Sequence, residues 1–182
     1  MATRLKRKLD YEDYARLPSD DGKRYEVLDG KLYVTPAPSP LHQRLSKRLQ
    51  RQLEDYFEIR GLGEVFNAPI DVVLGQHDIA EPDLVIVARP GQISSRAIEG
   101  APLLVAEILS PSTRRRDRGI KMRRYAELGV PHYWIVDPDG RTIECWRLER
   151  GEYHLVTKAT VPDVLRHPDW PDLAIDLSAL WR

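Results

Sequence analysis

The sequence predicts one mixed α/β (α+β) domain in which a central β-sheet is flanked by helices. The chain has 182 residues, enough to bury a substantial core as one domain over 1–182. Within it, 101–138 has the pattern of an apolar strand, a basic helix and a second apolar strand, which indicates a parallel crossover. Hairpin patterns at 25–34 and 142–157 predict antiparallel strands on either side of that crossover. Together these predict a mixed sheet.

The composition excludes several classes of protein. Hydrophobic residues make up 42% of the chain and charged residues 31%, as in ordinary globular proteins. The formal net charge is zero, so attraction to nucleic acid or membrane would have to come from local patches. One cysteine, Cys145, excludes an internal disulfide and a cysteine-rich zinc site. No apolar run approaches the roughly 20 residues of a membrane span, so we expect a cytoplasmic protein.

The chain begins with a polar segment, 1–20, that precedes the predicted hairpin. Its basic cluster fits a solvated tail better than a nucleic-acid arm, and consists of Arg4, Lys6, Arg7 and Lys8. A short helix is predicted over 11–17. The hairpin at 25–34 turns at Asp29-Gly30. Glu26 shares a strand face with Leu28, so it is either a third member of an acidic site or an edge-strand charge.

A long helix is predicted over about 40–60, with Ser39 as its cap and Pro40 in its first turn. One apolar stripe along it consists of Leu45, Leu49, Leu53, Tyr56 and Phe57. His42 lies in the first turn, where a helix-start hydrogen bond is a more common role for histidine than metal ligation. Strands are then predicted at 64–67 and 69–74, followed by a turn at 75–78.

The next predicted strand begins after Glu81-Pro82-Asp83, and the polar connection 90–100 is interpreted as a flap near a site. The crossover then follows. After it, turns at Asp139-Gly140 and Arg150-Gly151 predict a C-terminal β-meander. The closing segment 170–181 has well-spaced apolar residues and is expected to pack on the core.

Two carboxylates at strand boundaries predict a metal site for phosphate chemistry. Asp83 opens one apolar strand and Glu107 lies near the end of another, where a buried charge is costly unless it has a use. Magnesium or manganese prefers oxygen ligands and supplies both charge neutralisation and an activated water. If the two strands are neighbours, Asp83 and Glu107 would bind the metal, and the carbonyl of Ile108 would add a third oxygen.

Lys121 is the candidate for orienting the attacking water or stabilising developing charge. Asp117, Lys121 and Tyr125 are spaced i, i+4, i+8 on the predicted helix 114–128 and therefore share one face. A surface Asp–Lys pair explains that spacing equally well. The helix is strongly basic, which fits either a solvated face or contact with a phosphate backbone. The predicted nucleic-acid contacts are Arg114, Arg115, Arg116, Arg118 and Arg124.

These motifs, taken in order, resemble the Uma-type putative restriction endonuclease family of the PD-(D/E)XK nuclease superfamily. The resemblance covers roughly 25–148, with a further match at Leu177…Leu180-Trp181, and is carried by a set of short motifs. They are Tyr25-Glu26…Asp29-Gly30, Pro82-Asp83, Glu107-Ile-Leu-Ser-Pro-Ser-Thr, Asp117, Lys121, Tyr125, Gly129-Val130 and Tyr133-Trp134-Ile-Val-Asp137-Pro138.

The resemblance implies a restriction-endonuclease-like fold with two acids that bind magnesium. Asp83 matches the first acid of the superfamily pattern and Glu107 the second. The lysine of that pattern would fall at position 109, which is Leu109 here, so Lys121 is interpreted as a migrated lysine. Glu26 is a possible additional acid.

The leading hypothesis is therefore a magnesium-dependent DNA endonuclease, expected to be a homodimer if it cuts both strands of a duplex. A second hypothesis is a non-catalytic module that keeps the fold and binds nucleic acid or protein. A third is a structural oligomerisation domain, in which Asp83 and Glu107 would be paired with arginines rather than facing an open cleft.

Overall fold

The computed structural model describes residues 7–18 and 21–182, and these form thirteen strands and five α-helices. In chain order the strands are β1 (Arg24–Leu28), β2 (Lys31–Thr35), β3 (Glu64–Asn67), β4 (Val72–Gly75), β5 (Asp78–Ala80), β6 (Leu84–Val87), β7 (Ile98–Glu99), β8 (Leu104–Ile108), β9 (His132–Asp137), β10 (Thr142–Glu149), β11 (Glu152–Thr160), β12 (Val164–His167) and β13 (Trp170–Asp176). The helices are α1 (Tyr11–Tyr14), α2 (Pro40–Phe57), α3 (Arg114–Arg116), α4 (Met122–Glu127) and α5 (Leu177–Leu180). A π-helical segment, Asp117–Lys121, joins α3 to α4, and a 3₁₀ turn covers Pro90–Gln92.

The larger sheet has six strands in the order β11-β10-β9-β8-β6-β3. Only its central pair, β8 and β9, is parallel, and the predicted crossover helix connects these two strands. The strands β9, β10 and β11 form the predicted C-terminal meander. The prediction of a mixed α/β architecture is confirmed.

A second, five-stranded sheet has the order β2-β1-β5-β4-β7 and contains the predicted N-terminal hairpin. The sequence patterns predicted one central sheet, whereas the structure has this second sheet as well. Strands β5 and β7 have only three and two residues, too few for a period of two to be recognised. The hairpin of β12 and β13 was missed as well, although its segment packs on the core as expected.

The apolar stripe of α2 is buried against the six-stranded sheet. All five of its predicted residues belong to one hydrophobic cluster that also contains Leu84, Ala106 and Trp134 from the sheet. The Ser39 hydroxyl accepts a hydrogen bond from the His42 backbone at 3.2 Å, which confirms the predicted cap. The helix therefore has a fixed start beside β6 and β8, and this positions His42.

None of the helices in the described part of the chain is long and apolar enough to cross a membrane. Cys145 is buried on β10. Of the basic N-terminal cluster, Arg4 and Lys6 lie outside the described residues. Arg7 pairs with Asp13 at 2.6 Å, and Lys8 pairs with Asp29.

Two buried histidines join the β12–β13 hairpin to β9. The ring of Trp170 lies 4.5 Å from His132 and 4.4 Å from His167, centroid to centroid. His167 Nδ1 accepts a hydrogen bond from the Asp169 backbone at 3.1 Å, and Arg147 pairs with the Asp169 carboxylate at 2.6 Å. Burial lowers the pKa of both histidines to about 4. Both are therefore neutral in the fold at neutral pH.

We expect His167→Asn to lose less stability than the wild type on acidification. The unfolded histidine takes up a proton near pH 6.5, whereas the folded one does so only near pH 4. Its contribution to stability is thus complete above pH 6.5 and is lost as the pH falls toward 4. The difference in unfolding free energy between wild type and variant should shrink by about 2 kcal/mol from pH 7 to 4.5.

Urea unfolding across this pH range measures that difference. Wild type must be compared with a variant because burial also raises the pKa of Glu81 and Glu107. Protonation of these two buried carboxyls increases stability as the pH falls, over a pH range that overlaps that of the histidine and in the opposite direction. Exposed His154 provides the matched control, His154→Asn, which should follow the wild type at every pH. A pH-independent difference for His167→Asn would contradict the prediction.

Candidate active site

Asp83 and Glu107 lie opposite each other on neighbouring strands. Strands β6 and β8 are antiparallel with Leu84 paired to Ala106, so Asp83, directly before β6, comes opposite Glu107 of β8. Directly opposed residues of an antiparallel pair point to the same face of the sheet. Both side chains are buried, each with 3% exposure. The two strands are therefore neighbours, as the predicted metal site requires.

Asp83 is held by three donors from three different parts of the chain. Its Oδ1 lies 2.6 Å from an Arg24 guanidinium nitrogen, and its Oδ2 lies 3.0 Å from His42 Nε2. The Ile108 backbone N–H donates to the same Oδ2 at 2.8 Å. Burial alone would raise the pKa of Asp83, but His42 and Arg24 outweigh it and lower the pKa to about 2. Asp83 is therefore ionised at neutral pH.

Glu107 is held by donors from the crossover helix. Lys121 Nζ lies 2.8 Å from Glu107 Oε1, and the Tyr125 hydroxyl donates to the same oxygen at 2.9 Å. Lys121 also contacts Glu26 at 2.7 Å and Asp117 at 3.8 Å. Burial raises the pKa of Glu107 to about 8 although the charge of Lys121 opposes this. Metal-free Glu107 thus tends to retain its proton.

Local sequence patterns bring these side chains to one place. Arg24 and Glu26 are two residues apart on β1 and therefore point to the same face. Asp117, Lys121 and Tyr125 are all buried along one side of the crossover helix, as their spacing predicted. The π-helical segment begins and ends at the first two of these, and such segments are frequent at functional sites.

The buried charges do not balance. Five buried carboxylates meet here, from Glu26, Glu81, Asp83, Glu107 and Asp117. Three permanent cations accompany them, from Arg24, Arg116 and Lys121. Burial raises the pKa of Glu81 to about 7, and also raises that of Asp117. An excess of two carboxylates in a dry site is stabilised either by protons or by a cation.

Two buried oxygens at this place have no hydrogen-bond partner among the described residues, Glu81 Oε1 and Asp117 Oδ1. Both of the hydrogen bonds that described side chains make to Glu107 end on Oε1. The oxygen-rich donor set and the excess of two negative charges suit one hard divalent cation. The donor set therefore fits the metal that the resemblance implies, for which Asp83, Glu107 and the Ile108 carbonyl are the predicted ligands.

A cleft of about 1150 Å³ borders this cluster. Asp83, Glu81, Arg24 and His42 line it, whereas Glu107 and Lys121 are not among its lining residues. Other walls come from α1, from the first half of α2 and from the segment 93–98. The predicted flap at 90–100 is thus adjacent to the site.

Four of the five arginines predicted to contact nucleic acid form ion pairs within the protein. Arg114 pairs with Asp137 at 2.8 Å, and Arg118 pairs with Glu144 at 2.7 Å. Arg124 pairs with Asp78 at 2.6 Å. Arg116 lies 3.6 Å from Glu26. Arg115 is exposed.

Three residues of the site were not predicted from the sequence, namely Arg24, His42 and Glu81. Two of them carry a recognisable signal, because Arg24 and Glu81 stand two residues before Glu26 and Asp83, respectively. His42 was recognised as a helix-start residue, but its ring contact with Asp83 spans 41 residues and has no local signal.

The third hypothesis expected both acids to be paired with arginines and not to face a cleft. Asp83 does pair with Arg24, but it also lines the cleft. Glu107 pairs with a lysine and a tyrosine instead.

Elsewhere in the described residues, His132, His167 and Asp169 form a group with one ligand atom each within 4.8 Å of the others. Arg147 forms an ion pair with Asp169, so a positive charge already lies beside these three side chains.

Comparison with known structures shows which class of fold this is. The chain is similar to a crystal structure described as a putative nuclease belonging to DUF820 from Anabaena variabilis ATCC 29413. The TM-score is 0.75 at 19% sequence identity, with 95% of this chain and 97% of the other covered. The architecture is thus a nuclease-like mixed fold.

The chain belongs to the Uma2 family, described as "Putative restriction endonuclease", whose model matches residues 11–178. The chain is also 30% identical over 120 residues to an uncharacterized protein of Synechocystis sp. (strain ATCC 27184 / PCC 6803 / Kazusa). That match covers 65% of this chain and spans 63% of the length of the Synechocystis protein.

Proposed function

We propose that this protein is a magnesium-dependent endonuclease that hydrolyses phosphodiester bonds in DNA. The observation that carries the proposal is that Asp83, directly before β6, lies opposite Glu107 of β8, whose carboxyl accepts a hydrogen bond from Lys121. The excess of buried carboxylates supports a divalent cation at this place. Membership of the family supports a nuclease.

Each residue has a role that follows from its contacts. Asp83, Glu107 and the Ile108 carbonyl would hold magnesium or manganese, which when bound supplies charge neutralisation and a more acidic water. His42 and the Ile108 N–H keep the Asp83 carboxylate oriented and ionised. Lys121 would stabilise negative charge that develops beside Glu107.

Glu26 fixes Lys121 from the other side, at 2.7 Å, and is an additional acid of the site. Among the arginines of the crossover helix, Arg115 is the one we retain as a substrate contact, because its side chain is exposed. Arg114, Arg116, Arg118 and Arg124 would reach a phosphate only by leaving their acidic partners.

The alternative is a non-catalytic module that retains the fold and binds nucleic acid or protein. One observation favours it, which is that Arg24 occupies Asp83 Oδ1 at 2.6 Å. A metal on that oxygen would have to displace the guanidinium. The two functions differ in whether divalent metal produces cleavage.

Cleavage of supercoiled plasmid by wild type and Asp83→Asn, with magnesium, manganese or EDTA, tests the proposal. We expect wild type to nick or linearise plasmid only with metal, and Asp83→Asn to be slower by at least about 100-fold. Exposed Asp172 on β13 gives the matched control, Asp172→Asn, which should cleave like wild type. Binding of plasmid without cleavage by any variant would favour the module.

The predicted homodimer and the cytoplasmic location remain predictions. Two copies would place two sites on the two strands of a duplex. The mass of the protein in solution, measured with and without DNA, tests the dimer directly. A monomer in both conditions would overturn it.

A further inference from the structure

The cleft beside Asp83 is closed along one side by a contact between two segments that are distant in sequence. The guanidinium of Arg96 lies 4.6 Å from the centre of the Tyr11 ring, stacked over it. The Tyr14 hydroxyl donates to Asp71 at 2.6 Å. Short helix α1 is thereby fixed to the segment 93–98 and to the chain before β4, and the cleft becomes a pocket beside the catalytic acids.

The size of the cleft limits what can reach Asp83. Its volume of about 1150 Å³ is close to that of pockets that enclose single small ligands, about 300–1,000 Å³. The bases of a duplex are paired and stacked on one another, whereas the bases of a single strand are free to enter a pocket of this size. We therefore expect a few unpaired nucleotides, rather than a duplex, to reach Asp83 through this cleft.

The lining has the chemistry of a site for unpaired nucleotides. Half-buried rings of Tyr11, Tyr14, Tyr25 and Phe66 line the cleft, and Arg96 covers one face of the Tyr11 ring. Unpaired bases stack on such rings without regard to their identity. The cationic side chains that line it are Lys23, Arg24, Lys47 and Arg96. Lys23, Arg24 and Arg96 pair with Asp21, Asp83 and Glu99, so among the described residues Lys47 is the lining cation with no ion pair and provides positive charge for a phosphate backbone.

Polar amides complete the lining. Gln43 and Asn67 are exposed at the cleft, one from α2 and the other from β3. Their amides can both donate and accept, which suits the base edges that a duplex hides in pairing and a single strand exposes. The lining of the cleft thus offers rings for stacking, positive charge for phosphates and amides for contact with base edges.

We propose that the substrate of the Asp83 site is an unpaired stretch of nucleic acid, which enters the cleft with its bases stacked on the tyrosine rings. This rests on the proposed nuclease function and narrows its substrate class to unpaired strands, so that a plasmid would be cut where negative supercoiling separates its strands. Single-stranded DNA and single-stranded RNA share the chemistry used here. They differ in the 2′-hydroxyl, and the experiment separates them.

Fluorescence anisotropy with calcium in place of magnesium measures binding apart from cleavage. The probes are labelled oligothymidylate, oligouridylate of the same length, and a blunt DNA hairpin duplex. We expect oligothymidylate to bind at least about tenfold more tightly than the duplex. Tighter binding of oligouridylate identifies RNA as the source of the strand. Equal or tighter binding of the duplex overturns the proposal.

Matched variants test the stacking. Tyr11→Ala should weaken oligothymidylate binding by about tenfold, whereas Tyr11→Phe, which keeps the ring, should bind like wild type. Tyr25→Ala and Tyr25→Phe repeat the comparison on β1, in case loss of the Tyr11 ring disturbs α1. Equal binding by the alanine and phenylalanine variants at both positions overturns the proposal.

Cleavage of the same probes with magnesium separates failure of this proposal from failure of the nuclease function. Preferred binding of single strands without cleavage of any probe leaves the substrate class standing and overturns the nuclease. Equal cleavage rates for single strand and duplex leave the nuclease standing and overturn the substrate class.

Discussion

Glu107→Gln is expected to abolish metal-dependent cleavage while leaving the metal-free protein as stable as wild type. Glutamine keeps an oxygen for the hydrogen bonds from Lys121 and Tyr125 and carries no charge into the buried site. It also resembles the protonated carboxyl that a pKa of about 8 implies for Glu107 at neutral pH. Cleavage should fall by at least about 100-fold because a metal ligand is lost.

Thermal unfolding with EDTA and with magnesium, together with plasmid cleavage, checks both halves of this expectation. Magnesium should raise the unfolding temperature of wild type and should fail to do so for Glu107→Gln. Exposed Glu149, which pairs with Arg147, supplies the control Glu149→Gln, for which neither property should change. A large loss of stability in EDTA would instead assign Glu107 a structural role.

Lys121→Met is expected to lower the free energy of unfolding more than any other substitution named above. Lys121 is 3% exposed and lies among the carboxylates of Glu26, Glu107 and Asp117. Burial disfavours its ammonium, but the charges of Glu107 and Glu26 outweigh burial and raise the pKa of Lys121. Without the cation, Glu26 and Asp117 lose the positive charge beside them and Glu107 loses a hydrogen-bond donor, all in a dry site. The cost should be about 3–5 kcal/mol at neutral pH.

Two measurements connect that cost to charge. Urea unfolding should show the loss shrinking at lower pH, because the carboxyls take up protons there. Magnesium should stabilise Lys121→Met more than wild type, although cleavage stays lost. The control Lys158→Met removes a half-exposed lysine that pairs with Glu144 at 3.1 Å, and should cost less than about 1 kcal/mol. Equal costs for the two variants would contradict the prediction.

Several features of this protein follow from local sequence alone. The crossover between β8 and β9, the stripe of α2 and the Asp29-Gly30 hairpin are each specified by neighbouring residues with a period of two or 3.6. The same holds for the face shared by Asp117, Lys121 and Tyr125. The positions of Asp83 and Glu107 at strand boundaries were likewise visible in the sequence.

The partners of those charges were decided by the tertiary structure. Arg24 and Asp83 are 59 residues apart, and Lys121 meets Glu26 across a still longer stretch of the chain. The chain carries 28 acidic and 28 basic side chains, so charge alone does not select which of them meet. The arginines of the crossover helix suggested a positive surface, yet most of them are neutralised by acids from β5, β9 and β10. Periodicity is a property of near neighbours, whereas an ion pair requires the packing of whole elements, and only the assembled sheets bring these charges together.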